Sequence, residues 1–172
     1  MKQENKNPMK EIKIDKVILS IGGTADNLEK GIKLLGVLTN KKISRKTSKK
    51  RIPSFGVRPG LEVGAMVTLR GKEAEEMLKR LFESIGNQLK EKQISENSFS
   101  FGIKEYIEIP GIEYQRDIGI IGFDVSVAFS RAGKRVEKRK IKKGKIPKRN
   151  QVKKEEIISF LEKKYNVEVI EK

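Results

Sequence analysis

The sequence predicts an α+β domain, a largely antiparallel sheet with helices packed on one face and a long basic loop. Three observations predict it. Apolar residues alternate with period two in several short segments, which are strands with one buried face. Other segments repeat apolar residues at helical spacing. The strands are joined sometimes by turns and sometimes by helices, without the regular β-α-β alternation of a parallel sheet. A chain of 172 residues suits one domain with a real core. The predicted division is a flexible N-terminal arm over 1–9 and a single domain over 10–172.

The segment 11–21, EIKIDKVILSI, is a strand that Gly22-Gly23 stops. Asp26 and Glu29 have capping-box spacing, and the helix they open carries Leu28, Ile32, Leu35 and Leu38 on one stripe, ending near Thr39-Asn40. Residues 41–51 are expected as an irregular strand. Residues 52–71 then read as a hairpin about the turn Pro59-Gly60. A second helix is expected over 72–89, with Ala74, Met77, Leu78, Leu81, Phe82, Ile85 and Leu89 inward. Strands follow over 98–109, with a phase slip near Glu105-Tyr106, and over 118–129. Residues 131–149 hold too much charge to enter a core and are expected as an extended loop. Residues 152–165 form the last helix, and 167–169 a short closing strand.

Composition excludes several classes of function. There is no Cys and no His, so disulfides, thiol chemistry and imidazole ligands or bases are absent. The N-terminal segment MKQENKNPMKEIK has no apolar signal core, and no apolar run reaches the roughly 20 residues of a spanning helix. A cytoplasmic protein without a membrane partner is expected. The stretch 20–31, SIGGTADNLEKG, matches neither dinucleotide nor P-loop spacing and reads as a strand-to-helix turn. No catalytic constellation, metal site or cofactor is expected.

The charge is concentrated. Residues 41–51, KKISRKTSKKR, hold seven Lys/Arg and no acid, and residues 131–149, RAGKRVEKRKIKKGKIPKR, hold eleven with one Glu. The two segments carry +17 between them, against +16 for the whole chain. A near-neutral body with two basic segments is the footprint of a polyanion binder, because clustered cations release counterions from phosphates. Candidate RNA contacts in the first segment are Lys41, Lys42, Arg45, Lys46, Thr47, Lys49, Lys50 and Arg51. In the second they are Arg131, Lys134, Arg135, Lys138, Arg139, Lys140, Lys142, Lys143, Lys145, Lys148 and Arg149. Charge alone leaves open a structural RNA-binding protein, a DNA-coating protein and an enzyme that docks RNA.

Ordered motifs narrow these. The stretches 54-SFGVRPG-60, 67-VTLRG-71, 99-FSFGIKEYIEIPGIEY-114, 118-IGIIGFDV-125 and 153-KKEEIISFLEKKYNVEV-169 resemble the fifth family of large-subunit ribosomal proteins, in its archaeal and eukaryotic branch. The resemblance implies an antiparallel sheet with helices on one side. It implies 5S rRNA and large-subunit rRNA as partners in the central protuberance, with neighbouring ribosomal proteins and a small-subunit bridge protein. It implies 5S contact through the open sheet face at Ser20, Lys41, Lys42, Thr68 and Arg70, and P-site tRNA contact through Phe55, Arg58, Pro59 and Gly60. Ser20 stands where the family usually has Asn and Lys41 where it usually has Gln. Ser keeps hydrogen-bonding capacity with shorter reach, and Lys offers a point charge. The loop 131–149 corresponds to a basic insertion that bacterial members lack.

Overall fold

The computed structural model describes residues 7–170. Residues 1–6 of the expected N-terminal arm lie outside the described residues, and Pro8–Lys10 form a 3-10 turn. The element order is β1 (Lys13–Gly22), α1 (Asp26–Thr39), β2 (Ser44–Thr47), β3 (Glu62–Leu69), α2 (Lys72–Ser84), β4 (Gln88–Lys90), β5 (Ile94–Ser95), β6 (Ser98–Ile103), β7 (Phe123–Ser130), α3 (Arg135–Lys138), α4 (Lys154–Tyr165) and β8 (Glu168–Ile170). Six strands form one sheet in the order β2-β3-β1-β7-β6-β5, and every neighbouring pair is antiparallel. β4 and β8 form a separate parallel pair that ties the C-terminus to the end of α2. The predicted α+β class is the observed one.

Alternation decides which sheet face is covered. Val17, Leu19 and Ile21 of β1, Ala65, Val67 and Leu69 of β3, Phe99, Phe101 and Ile103 of β6, and Phe123, Val125, Val127 and Phe129 of β7 are all buried. Because Val17 opposes both Leu69 and Val127, these residues share one face. The helices cover that face. α1 contributes Leu28, Leu34, Leu35 and Leu38, α2 contributes Ala74, Leu78, Leu81 and Phe82, and α4 contributes Ile157, Leu161 and Tyr165. Phe82 stacks on Phe99 and Phe101 at centroid distances of 5.9 and 5.7 Å, which fixes α2 on β6. Gly31 brings α1 against β1: a Cβ there would stand 2.7 Å from Ile21 Cγ2.

Several expected boundaries shift, each for a local reason. The capping box does not form. Helix α1 starts at Asp26 behind Ala25 at φ +47, and Glu29 instead meets Arg45. The hairpin expected within 52–71 is built one strand earlier: the first basic segment supplies β2, which pairs with β3, and Pro59-Gly60 lies in the loop between them. Helix α2 stops at Ser84, because Gly86 and Asn87 both take positive φ and turn Leu89 into β4. The slip near Glu105-Tyr106 marks the end of β6. There a 3-10 turn, Tyr106–Glu108, buries the Tyr106 ring, whose hydroxyl accepts the Gln115 N–H. β7 begins at Phe123 after a loop in which Gly119 has φ +72. The loop expected over 131–149 contains α3 and a 3-10 turn at Lys148–Asn150.

Candidate nucleic-acid interface

The sheet face away from the helices is uncovered, and Ser, Thr and Gly make up most of it, with Met66, Ile18 and Asp124 among them. Register places Ser44, Met66, Ser20 and Asp124 in one row across β2, β3, β1 and β7. The next row holds Thr68, Ile18, Ser126 and Ser100. Beyond Ser20 the row Lys46, Gly64 and Gly22 closes one end of the face. Toward the other end β3 runs out at Leu69 and Arg70 follows it, its guanidinium reaching Asp15. Small hydroxylated residues let a ribose-phosphate backbone approach closely and offer donors and acceptors to 2′-hydroxyls and phosphates.

The loop that continues the first basic segment and the second basic segment leave this face at opposite ends. The loop 48–61 leaves beside Gly22 and Gly64, whereas 131–149 begins after Ser130, the partner of Lys13. β1 runs ten residues between them, about 30 Å at ~3.3 Å per residue.

The first segment is ordered by backbone. Lys46 opposes Gly64 on the open side, while Arg45 opposes Ala65, whose side chain is buried. Arg45 therefore turns toward the helices and meets Glu62 at 2.8 Å and Glu29 at 3.0 Å. Those carboxylates hold its guanidinium charged, its pKa raised further by the Glu62 hydrogen bond and then by the Glu29 charge. Lys41 pairs with Glu73 of α2 at 2.9 Å. Among the described residues Lys42, Lys46, Lys49, Lys50 and Arg51 make no ion pair. Thr47 is exposed opposite Glu62. The loop beyond is closed by backbone bonds from Ser48 N–H to Leu61 and from Gly60 N–H to Ser48, at 2.8 and 2.9 Å. Ile52 and Val57 bond to each other at its tip. Pro59 followed by Gly60 at φ +85 suits a tight turn, and the Leu61 N–H returns to the Arg58 carbonyl. Phe55 projects 75% exposed from this closed loop, with Arg58, Pro59 and Gly60 exposed beside it.

The second segment is ordered by side chains. Arg131 is 10% exposed and donates through Nη2 to both oxygens of Glu156 at 2.6 Å. Burial opposes ionisation of Glu156, but the Lys153 N–H and the Arg131 guanidinium outweigh it and hold the carboxyl below its ordinary range. Lys134 and Lys138 reach Asp15. The returning chain is held by Asn97, whose side chain accepts the Val152 N–H at 2.7 Å. Gly144 passes so near Val136 that a Cβ would stand 2.9 Å from Val136 Cγ1. Between these supports lies a cavity of about 860 Å³ lined by Lys143, Lys145, Lys148 and Phe129. Arg135, Arg139, Lys140, Lys142, Lys143, Lys145, Lys148 and Arg149 make no ion pair among the described residues.

Of the sequence candidates, Ser20, Lys46, Thr68 and Arg70 come together on or beside one face. Arg45 and Arg131 face inward to carboxylates. Ser100, Ser126 and Asp124 share the open face but escaped the sequence reading. Their signal was present, since they are the outward partners of Phe101, Val127 and Val125 in the alternation.

Comparison with known proteins places this architecture. Residues 62–160 match the family model of the ribosomal L5 C-terminus. The chain belongs to the ribosomal L5 family. It is 43% identical over 169 residues, 96% of each chain, to the large ribosomal subunit protein uL5 of Sulfurisphaera tokodaii. It is 39% identical to the uL5 of Nanoarchaeum equitans, covering 95% of this chain and 99% of that one. Against the uL5 of Methanoregula boonei it is 37% identical, covering 94% and 99%. Members of the family are structural ribosomal proteins and not enzymes, which removes the RNA-docking enzyme from the three readings left by charge. Among the described residues no acidic cluster could hold a metal ion, and no helix is long and apolar enough to cross a membrane.

Proposed function

We propose that this structural protein of the large subunit binds 5S rRNA through the open sheet face and the first basic segment. The observation that carries the proposal is the uncovered six-stranded face, whose rows are rich in Ser and Thr and are bordered by lysines that make no ion pair among the described residues. In this reading Ser20, Thr68 and Arg70 meet ribose and phosphate groups, and Lys42, Lys46, Lys49, Lys50 and Arg51 neutralise backbone phosphates along one edge. The outer cations of 131–149 anchor in large-subunit rRNA. The loop carrying Phe55, Arg58, Pro59 and Gly60 reaches P-site tRNA, with Phe55 offering a stacking surface. The site is the central protuberance of the cytoplasmic ribosome, among neighbouring ribosomal proteins and toward a small-subunit bridge protein. The work done is positioning, without turnover.

Affinity for 5S rRNA, an unrelated RNA of equal length and duplex DNA, measured across salt, tests this. A preference for 5S rRNA that persists as salt rises is expected, since shape and hydroxyl contacts are screened less than phosphate contacts. Equal affinities at every salt would reduce the protein to a generic polyanion coat. For the loop, Arg58→Ala is expected to quicken P-site tRNA release from ribosomes while leaving 5S rRNA binding intact. Unchanged release removes this loop from the tRNA site.

A further inference from the structure

Asp15 lies where β1 departs from regular pairing, its register with β7 shifting between Ile14 and Lys16. A bulge frees one residue from the alternation and re-aims its side chain. Here it aims a carboxylate at three cations from distant parts of the chain. Lys138 Nζ donates to Oδ1 at 3.1 Å and Oδ2 at 3.0 Å. Lys134 Nζ reaches Oδ2 at 3.5 Å. Arg70 Nη1 donates to the Asp15 carbonyl at 3.2 Å and meets Oδ1 at 3.4 Å.

Exposure orders the cluster in depth. The Asp15 side chain is 14% exposed, against 57% for Arg70, 52% for Lys138 and 32% for Lys134. The carboxylate lies beneath and the cations lie outward. A guanidinium has five N–H donors and an ammonium three, so each cation keeps donors beyond those Asp15 uses. Three cations and one carboxylate leave a net charge of +2 at one place. Without the carboxylate, three like charges on long side chains would spread apart. Exposed ion pairs ordinarily stabilise a fold very little. What this arrangement supplies is geometry.

We propose that Asp15 is a positioning residue that organises Arg70, Lys134 and Lys138 into a preformed site for one RNA backbone phosphate. The inference rests on the RNA-binding function proposed above. It joins the two interfaces: Arg70 follows β3 of the open sheet, whereas Lys134 and Lys138 belong to the second basic segment. A phosphate there would be held by the sheet and by the loop at once.

Asp15→Asn separates this from charge counting, because the two predict opposite signs. The substitution raises the net charge by one, so charge alone predicts tighter binding to every RNA. Positioning predicts about tenfold weaker binding of 5S rRNA, the scale of one charge-assisted contact. It also predicts unrelated RNA bound as before or slightly tighter, and a salt slope reduced by about one. Circular dichroism and thermal melting verify that the variant is folded. Equal or tighter 5S rRNA binding by Asp15→Asn overturns the inference. Should the variant not fold, Arg70→Ala, Lys138→Ala and their combination decide: two cations on one phosphate lose less together than the sum of their separate losses, and additive losses overturn the inference. If the native protein shows no preference for 5S rRNA over unrelated RNA, the proposed function falls and takes this inference with it. A native preference with an unaffected Asp15→Asn overturns the inference alone.

Discussion

The first basic segment enters the main sheet as β2 and continues into a loop closed by backbone hydrogen bonds. The second leaves the sheet at Ser130 and is moored by Arg131 to Glu156 and by Lys134 and Lys138 to Asp15. In both, some cations near the body are paired, and those farther along make no ion pair among the described residues. The difference lies in what fixes them. A ladder of backbone bonds is nearly indifferent to ionic strength, whereas ion pairs are screened by it in proportion to their exposure, so the pair of half-exposed Lys138 with Asp15 is weakened more than that of Arg131 with Glu156. The first segment is thus preorganised for a shaped surface. The second is held at its root by ion pairs and beyond it by short local turns outside the sheet, which leaves its outer cations more room to adjust to RNA.

The largest expected effect is in amide exchange. Amides bonded in the β2–β3 ladder should exchange at least ~100-fold more slowly than those of Arg139 and Gly144, because opening the ladder disturbs the sheet while opening the loop does not. Comparable protection in both segments would break the contrast. Next in size is Arg131→Ala, which removes a nearly buried guanidinium and leaves Glu156 without it. A loss of about 2 kcal/mol in denaturant unfolding is expected, with faster exchange over 133–144 and unchanged exchange in β2.

A smaller effect is expected from acid. Burial raises the Asp15 pKa, but the Lys138 hydrogen bond and the Lys134 and Lys138 charges outweigh it, so the carboxyl titrates below its ordinary range. Glu156 is depressed likewise. A depressed folded-state pKa contributes stability that is present above the unfolded-state value and lost as pH falls through the folded one. Proton-detected exchange or fluorescence from a label on Lys140→Cys should therefore report loosening of the second segment below about pH 4, the range of unperturbed carboxylates, with β2 unchanged. Loosening that begins near neutrality would assign the mooring to other groups. Smallest of all, Arg58→Ala touches an exposed turn and should alter unfolding free energy by less than ~0.5 kcal/mol.

Much of this was legible in the residues. Val17, Leu19 and Ile21, and Phe123, Val125, Val127 and Phe129, alternate strictly, and the buried face follows from them. The same alternation implied an open face, although Ser100 and Ser126 became visible as part of it only once register set them beside Ile18. The basic segments were evident from charge, but not which cations are spent on the fold. Arg45 and Lys46 are adjacent and chemically alike, and one faces Glu29 while the other faces solvent above Gly64, a distinction made by strand parity. Asp15 looked like one more polar residue of a strand. Its contacts depend on a bulge and on cations 55 and 123 residues away, separations that no local pattern encodes.

In the proposed function the two segments divide the RNA between them. Comparing 5S rRNA affinity for two folded variants matched in charge tests this division. One carries Lys42, Lys46, Lys49, Lys50 and Arg51 changed to Ala, and the other Lys140, Lys142, Lys143, Lys145 and Lys148 changed to Ala. The expected result is a loss of ~100-fold or more for the first and under ~10-fold for the second, with both losses shrinking as salt rises. Equal losses, or a greater loss from the second, would contradict the division.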